Sequence, residues 1–340
     1  MKEVRVQDAE GLVLAHDITE IIAGKSKGPA FKKGHVVTKE DIPHLLNIGK
    51  EHLYVFEMDA HMLHENDAAF ILRDLCKGAH LTATDASEGK VELFAETDGL
   101  LKIDRKRLYA INSLGEMMVA SRHGNTEVKK GDKIAGMRVI PLVIEKEKME
   151  RARTVAAGEG AIFNILPFTH KKIGIVTTGS EILNGRIEDT FTPALVKKLS
   201  VFDTEVTGQE KTGDDRERIA EAIRDFVNKG ADIVLCSGGM SVDPDDRTPA
   251  AIRDAAPDVI TYGAPVLPGA MFMLAYTTQG VPVMGLPGCV MYAKRTIFDL
   301  VLPRILAGER MCAEDFYDYG EGGLCLNCDI CTYPNCGFGK

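Results

Sequence analysis

From Lys172 to Ala307 the chain alternates short runs that are apolar on two faces with longer runs that are apolar on one, and few folds accept that alternation. ADIVLC (231–236) is the clearest short run, β-branched and two-sided, as a strand covered by helices on both faces must be. DDRERIAEAIRDFVNKG (214–230) is the clearest long one: Ile219, Ile223, Phe226 and Val227 share one face of a helix that Gly230 closes. KIGIVTTGSEI (172–182), TEVTG (204–208), VITYG (259–263), MFMLAY and VPVMGL read as further strands. TPALVKKLSVF (192–202), a segment after Thr248 and a last one from Cys289 to Ala307 read as helices. This order predicts an α/β domain over 169–310, with a mostly parallel sheet in a three-layer α/β/α arrangement. Ligands of such sheets lie beyond the carboxyl ends of the strands.

Four loops fall at those ends: TGSE (178–181), TGDD (212–215), SGGMSVDPDD (237–246) and LPGC (286–289). Gly238 and Gly239 let the chain turn sharply and let a ligand approach the backbone with no Cβ in the way. Exposed N–H groups together with Thr178, Ser180 and Ser241 suit an anionic ligand such as a phosphate. Asp243, Asp245 and Asp246 bring three carboxylates within four positions, and Asp246 above all suits Mg²⁺ held between phosphate and protein. Thr248 and Pro249 read as the N-cap and first residue of a helix. Asp214, with Glu217 three residues on, reads as another N-cap. The P-loop pattern is missing, and no G-x-G-x-x-G follows the first strand of this domain, which argues against both common nucleotide folds.

A net charge of −9 with no basic cluster argues against a nucleic-acid surface. No apolar run approaches bilayer length and the start carries no apolar segment, so a cytoplasmic protein is expected. Cys76, Cys236, Cys289 and Cys312 are scattered, as free thiols in a reducing compartment would be.

Residues 1–168 read as a β-rich α+β region. Its elements are a short helix, Lys39 to Ile48, opened by Thr38 and Asp41; a helix from Asn66 to Lys77; and strands at VELFAE, GLLKI, RLYAI, EMMVAS and KIAGMRVIPLVI. EKEKMERARTVA (145–156) reads as a charged helical connector. His61 and His64 read as surface histidines, and the region as a scaffold or dimerisation unit of a homo-oligomer.

In order and spacing, TTGSEI, the Asp pair before a helix, SGGMSVDPDDRTP, the Leu-Pro-Gly at 267–269 and LPGCV (286–290) resemble the molybdopterin-binding domain. The MoaB and Mog proteins, their plant counterpart and the MoeA metal-insertion proteins share this domain. The resemblance covers 172–308 and implies binding of molybdopterin, its adenylylated form or the finished molybdenum or tungsten cofactor. It assigns Thr178, Gly179, Ser180, Glu181, Gly238, Gly239 and Ser241 to the pterin-phosphate pocket, with Pro268, Gly269, Pro287 and Gly288 on the later loops. Asp246 falls on the acid that serves metal and catalysis in the adenylyltransferase branch, and Asp214 and Asp215 on the second acidic motif. The family's D-x-N becomes Asp189, Thr190 and Phe191. Its K-P-G-K-P becomes Val266 to Met271 without either lysine, the usual partners of an oxyanion such as molybdate or tungstate. Its L-P-G-N-P becomes LPGCV, placing Cys289 in the pocket. Three functions are thereby expected: a transferase that joins adenylate or molybdate to molybdopterin, a non-catalytic carrier or sensor that delivers the pterin to a molybdoenzyme or redox partner, or a domain for another phosphorylated metabolite.

Residues 311–340 lie outside that resemblance. Cys325, Cys328, Cys331 and Cys336 give C-x2-C-x2-C-x4-C, close to the bacterial ferredoxin run but with one residue more before the fourth cysteine. A metal-binding tail is expected, holding an iron–sulfur cluster or, with less support from the spacing, Zn²⁺. Without metal the segment is expected to have too little apolar area to stay ordered.

Overall fold

The apolar runs between Lys171 and Leu286 become one six-stranded sheet. β1 (Lys171–Thr178), β2 (Thr204–Thr212), β3 (Ile233–Ser237), β4 (Asp258–Tyr262), β5 (Met273–Tyr276) and β6 (Pro282–Leu286) stand in the order β2-β1-β3-β6-β5-β4. The first four in that order are parallel, while β5 runs against both of its neighbours. The reason is local. Only the turn after Tyr276, closed by Gly280 N–H donating to Thr277 O at 2.9 Å, joins β5 to β6, and a parallel crossover needs a dozen residues or more.

Helices cover both faces, as the two-sided strands require. α1 is the single turn Ser180–Leu183, followed by α2 (Phe191–Leu199), α3 (Arg216–Asn228), α4 (Thr248–Ala255), α5 (Ile297–Leu306) and α6 (Ala313–Tyr317). Val176, Val234, Cys236 and Val283 face α3 and α4 in one core; Ile175, Leu235, Met284 and Leu286 face α2 and α5 in the other. α5 is buried at all ten positions. It starts at Ile297, later than the sequence predicts, because Thr296 and Asp299 form a capping box there and Gly288–Met291 make a separate 3₁₀ turn. Buried Asp299 receives both carboxylate contacts from Lys198 Nζ at 2.9 and 3.0 Å, and buried Arg304 pairs with Glu309 at 2.7 Å and Asp315 at 2.6 Å. Burial of such charges requires these partners.

The structure, a computed structural model, describes residues 2–22, 26–56, 61–241 and 243–340. The chain divides into two units: residues through 96 with 103–122 and 130–165, and 97–102 with 123–129 and 166–340. The first is the β-rich region. Val6, Leu14, Phe31, Leu45, Leu53 and Val55 form one small core, and Lys90–Ala95, Lys133–Val139 and Met117–Ser121 pair in an antiparallel sheet. RLYAI is helical instead of extended: Asp104 caps Arg105–Asn112 by accepting from Arg107 N–H at 2.9 Å. His64 is buried, not on the surface. Its Nε2 bonds the carbonyl of Ala15 at 2.8 Å, and its Nδ1 accepts from Asn66 N–H at 3.1 Å, capping the helix Glu65–Cys76.

The cysteine tail packs into the second unit. Phe338 is 4% exposed, and Tyr333, Cys325 and Cys336 lie against the core that holds α5. Tyr333 O–H donates to Asp299 O at 3.2 Å. These contacts give the tail apolar anchors in that core. Among the described residues no helix is long and apolar enough to cross a membrane.

Candidate functional site

β2, β1, β3 and β6 end side by side, so the four glycine-bearing loops predicted to form a site do share one edge of the sheet. The loop between β4 and β5 joins them, because β5 starts opposite the end of β6, with Met273 beside Gly285. Pro268 and Gly269 lie in that loop, and Pro287 and Gly288 follow β6.

The centre of the edge is a clasp of two threonines around two glycines. Thr178 Oγ1 lies 3.1 Å from Thr248 Oγ1 and 3.3 Å from the carbonyl oxygen of Ser237, while Thr248 Oγ1 donates to Gly238 O at 2.8 Å. Thr248 is fully buried and is the first residue of α4, with no side-chain cap on the helix, so its predicted role as N-cap gives way to this one. The glycines are required for a reason other than ligand access. At Gly238 (φ +89°) a Cβ would meet Thr178 O at 2.4 Å, and at Gly239 (φ +57°) it would meet Thr248 Oγ1 at 2.8 Å. Close packing and left-handed backbone both exclude a side chain.

Asp214 is not the cap of α3. Asp215 takes that place, accepting from Arg218 N–H at 3.0 Å, and this frees the Asp214 carboxylate to accept from Ser180 N–H at 3.0 Å and Ser180 O–H at 2.7 Å. The TGSE and TGDD loops are thus bolted together. Glu181 is exposed beside them. Asp246 closes its own loop by accepting from Asp243 N–H at 2.9 Å, and the O–H of Tyr262 holds the same loop by donating to Met240 O at 3.0 Å and Ser241 O at 3.2 Å. Burial raises the pKa of the Cys289 thiol, which leaves it protonated at neutral pH, an inert half-buried neighbour rather than a thiolate.

A polar cluster that the sequence reading missed flanks the clasp. Gln209 Nε2 donates to Thr177 Oγ1 at 2.9 Å, Thr192 Oγ1 at 2.8 Å and Asp189 Oδ2 at 2.5 Å. β2 was expected to stop at Gly208, and it runs on through Gln209 to Thr212. Burial by itself would raise the Asp189 carboxyl, but hydrogen bonds from Thr192, Gln209 and Phe191 outweigh it and hold the group below its ordinary value. The first position of the family's D-x-N is thus preserved as a helix-capping and bracing carboxylate.

Two buried hydroxyls at this edge have no hydrogen-bond partner among the described residues: Thr212 at the end of β2 and Ser237 at the end of β3. Buried polar groups are seldom left so. Among the described residues no three His, Cys, Asp or Glu side chains converge on a metal position. Lys294 and Arg295 flank a cavity lined by all four tail cysteines.

In three-layer α/β domains ligands lie beyond the carboxyl ends of the parallel strands, where this domain places its glycine and hydroxyl loops. By comparison, residues 174–307 match the family described as "Probable molybdopterin binding domain". Residues 3–57 match a second family, described as a domain of unknown function (DUF8806). The chain is 25% identical over 177 residues to the molybdopterin molybdenumtransferase of Synechococcus elongatus, covering 49% of this chain and 40% of that one. It is 37% identical over 82 residues to a CinA-like protein of Desulfosudis oleivorans, covering 24% of this chain and 20% of that one. The chain therefore spans well under half the length of both relatives. Among solved structures, the molybdopterin biosynthesis enzyme MoaB from Thermus thermophilus is 23% identical with a TM-score of 0.37, covering 41% of this chain and 98% of that one. The tungsten cofactor synthesizing protein MoaB from Pyrococcus furiosus is 19% identical with a TM-score of 0.35, covering 42% and 99%.

Proposed function

We propose that the chain is a molybdopterin-binding protein of molybdenum-cofactor biosynthesis. The observation that carries this is the edge built within the matched segment, where the threonine–glycine clasp lies beside the unpartnered hydroxyls of Thr212 and Ser237. The pterin phosphate would be held by the TGSE and SGGMS loops, through Thr178, Gly179, Ser180, Glu181, Gly238, Gly239 and Ser241. Pro268, Gly269, Pro287 and Gly288 would close the opposite wall. Mg²⁺ needs only one or two carboxylates when phosphate oxygens complete its shell, and Asp246 would supply one. The ion would screen phosphate charge during adenylyl or metal transfer. The C-terminal cysteines belong to the same reading as a metal site. A cytoplasmic homo-oligomer that delivers its pterin to a molybdoenzyme or redox partner completes it.

A carrier without catalysis is the second reading. It is favoured by the engagement of Asp214 with Ser180 and of Asp215 with the cap of α3, together with the absence of both lysines from Leu267–Met271. Purified full-length chain, oxidised to release fluorescent pterin, tests the shared part: absence of bound pterin, with no uptake from a molybdopterin solution, would sink it. Incubation with molybdopterin, ATP, Mg²⁺ and molybdate separates the two. Adenylylated pterin or active cofactor marks the transferase, and a stable complex alone marks the carrier.

A further inference from the structure

Cys325, Cys328, Cys331 and Cys336 all line one cavity of about 220 Å³, together with Tyr333 and Phe338. The other four cysteines lie elsewhere; Cys76 and Cys236 are buried in cores. We infer that this cavity holds a four-iron, four-sulfide cluster ligated by the four cysteines, an inference that rests on the reading of the tail as a metal site.

Size is the first argument. A tetrahedral zinc draws four sulfurs to about 2.3 Å, so the thiolates meet at the ion and leave no space between them. Among the described residues no three of these side chains converge on a single-ion position, yet all four cysteines line one volume, an arrangement that a polynuclear cluster spans and a lone ion does not.

Backbone geometry answers the irregular spacing. The residue in excess of the ferredoxin run is absorbed by a turn, with Asn335 N–H donating to Thr332 O at 2.7 Å, and the turn returns Cys336 to the wall shared with the first three cysteines.

Charge is the third argument. Four thiolates around a cluster carry net negative charge, and two cations meet them. Lys294 Nζ donates to the carbonyls of Cys328 at 2.9 Å and Asp329 at 2.8 Å, holding the cysteine loop from behind. Arg295 stacks over Tyr333 at 4.6 Å and lines the same cavity as Cys331. Donors to cluster sulfur and nearby positive charge are among the features that set a cluster's potential.

The cavity is also joined to the proposed pterin edge. Leu267 N–H donates to Gly323 O and Cys325 N–H to Leu267 O, both at 2.8 Å, so the first cysteine is fixed to the residue before Pro268 and Gly269. Ligation replaces four thiol protons, released to solvent, with four iron–sulfur bonds.

The test is iron, sulfide and zinc analysis of the full-length chain purified without oxygen, or reconstituted with ferrous iron and sulfide. The expected result is a brown protein with about four irons and about four sulfides per chain, giving the spectrum of a one-electron-reduced cubane after dithionite. Cys328→Ser and Cys331→Ser, shown folded by circular dichroism, should lose the cluster, whereas Cys312→Ser should keep it. Full iron retention in the Cys328 and Cys331 variants would overturn the assignment of ligands. A colourless chain with one zinc would overturn the cluster but leave the metal site standing, and a chain that takes up neither metal would overturn both.

Discussion

The hydroxyls of Thr178 and Thr248 meet at 3.1 Å across seventy residues of chain, and this contact closes the loop carrying Gly238 and Gly239. Both side chains are buried, at 2% and 0% exposure. The contact links the end of β1 to the start of α4. It therefore couples the stability of the domain to the shape of the edge where its strand-end loops meet.

Replacing Thr248 with Val keeps the shape and removes the hydroxyl. The Gly238 carbonyl and the Thr178 hydroxyl each lose a partner, a loss of about 1–3 kcal/mol where such groups stay buried. Urea denaturation should show that drop together with weakened pterin binding, and Thr248→Ser should restore both. Wild-type stability in the Val variant would mean the clasp contributes nothing.

Gly239 carries two penalties at once, a left-handed backbone and contact with Thr248. Gly239→Ala should cost about 1–2 kcal/mol from the backbone alone, with the clash added. Gly239→Val should be worse, so its loss of ligand would reflect a disturbed loop as well as a blocked one. In a double-mutant cycle with Thr248→Ala, the two changes should be less than additive. Additive losses would show that the Cβ at 239 does not press on Thr248.

Asp246→Asn keeps the side-chain oxygen that the Asp243 N–H requires and removes the charge. Affinity for the pterin should change little, while Mg²⁺-dependent turnover, where the wild type turns over, should fall at least about tenfold. Equal turnover in the variant would reduce Asp246 to a loop brace.

His64 gives the N-terminal unit a pH dependence. Burial, the largest influence, lowers its pKa below the ordinary 6.5, so the folded state takes a proton less readily than the unfolded chain. Between about 6.5 and the lower folded value the unfolded state binds more protons, and stability must fall as pH falls through that window. Thermal melts from neutral pH downward should show this decline, and it should flatten in His64→Gln. An unchanged slope in that variant would assign the decline to other groups.

The sequence by itself determined the α/β domain, since two-sided apolar strands such as Ile233–Ser237 are stable only between helix layers. It also placed the glycine and acidic loops at strand ends, and grouped four cysteines within one short segment. Side-chain partners were not legible, because they join positions far apart in the chain. Asp214 and Asp215 are adjacent and chemically alike, and only the approach of Ser180 makes one a bridge and the other a cap. Gly239 could be read as an opening for ligand until Thr248 was seen to occupy the space its side chain would need. The register of α5 and the direction of β5 depended on a cap at Thr296 and a turn at Gly280, local features that apolar periodicity does not resolve. Tertiary structure alone decided that the cysteine tail packs beside Leu267, because the backbone pairing that holds it there is independent of side-chain identity.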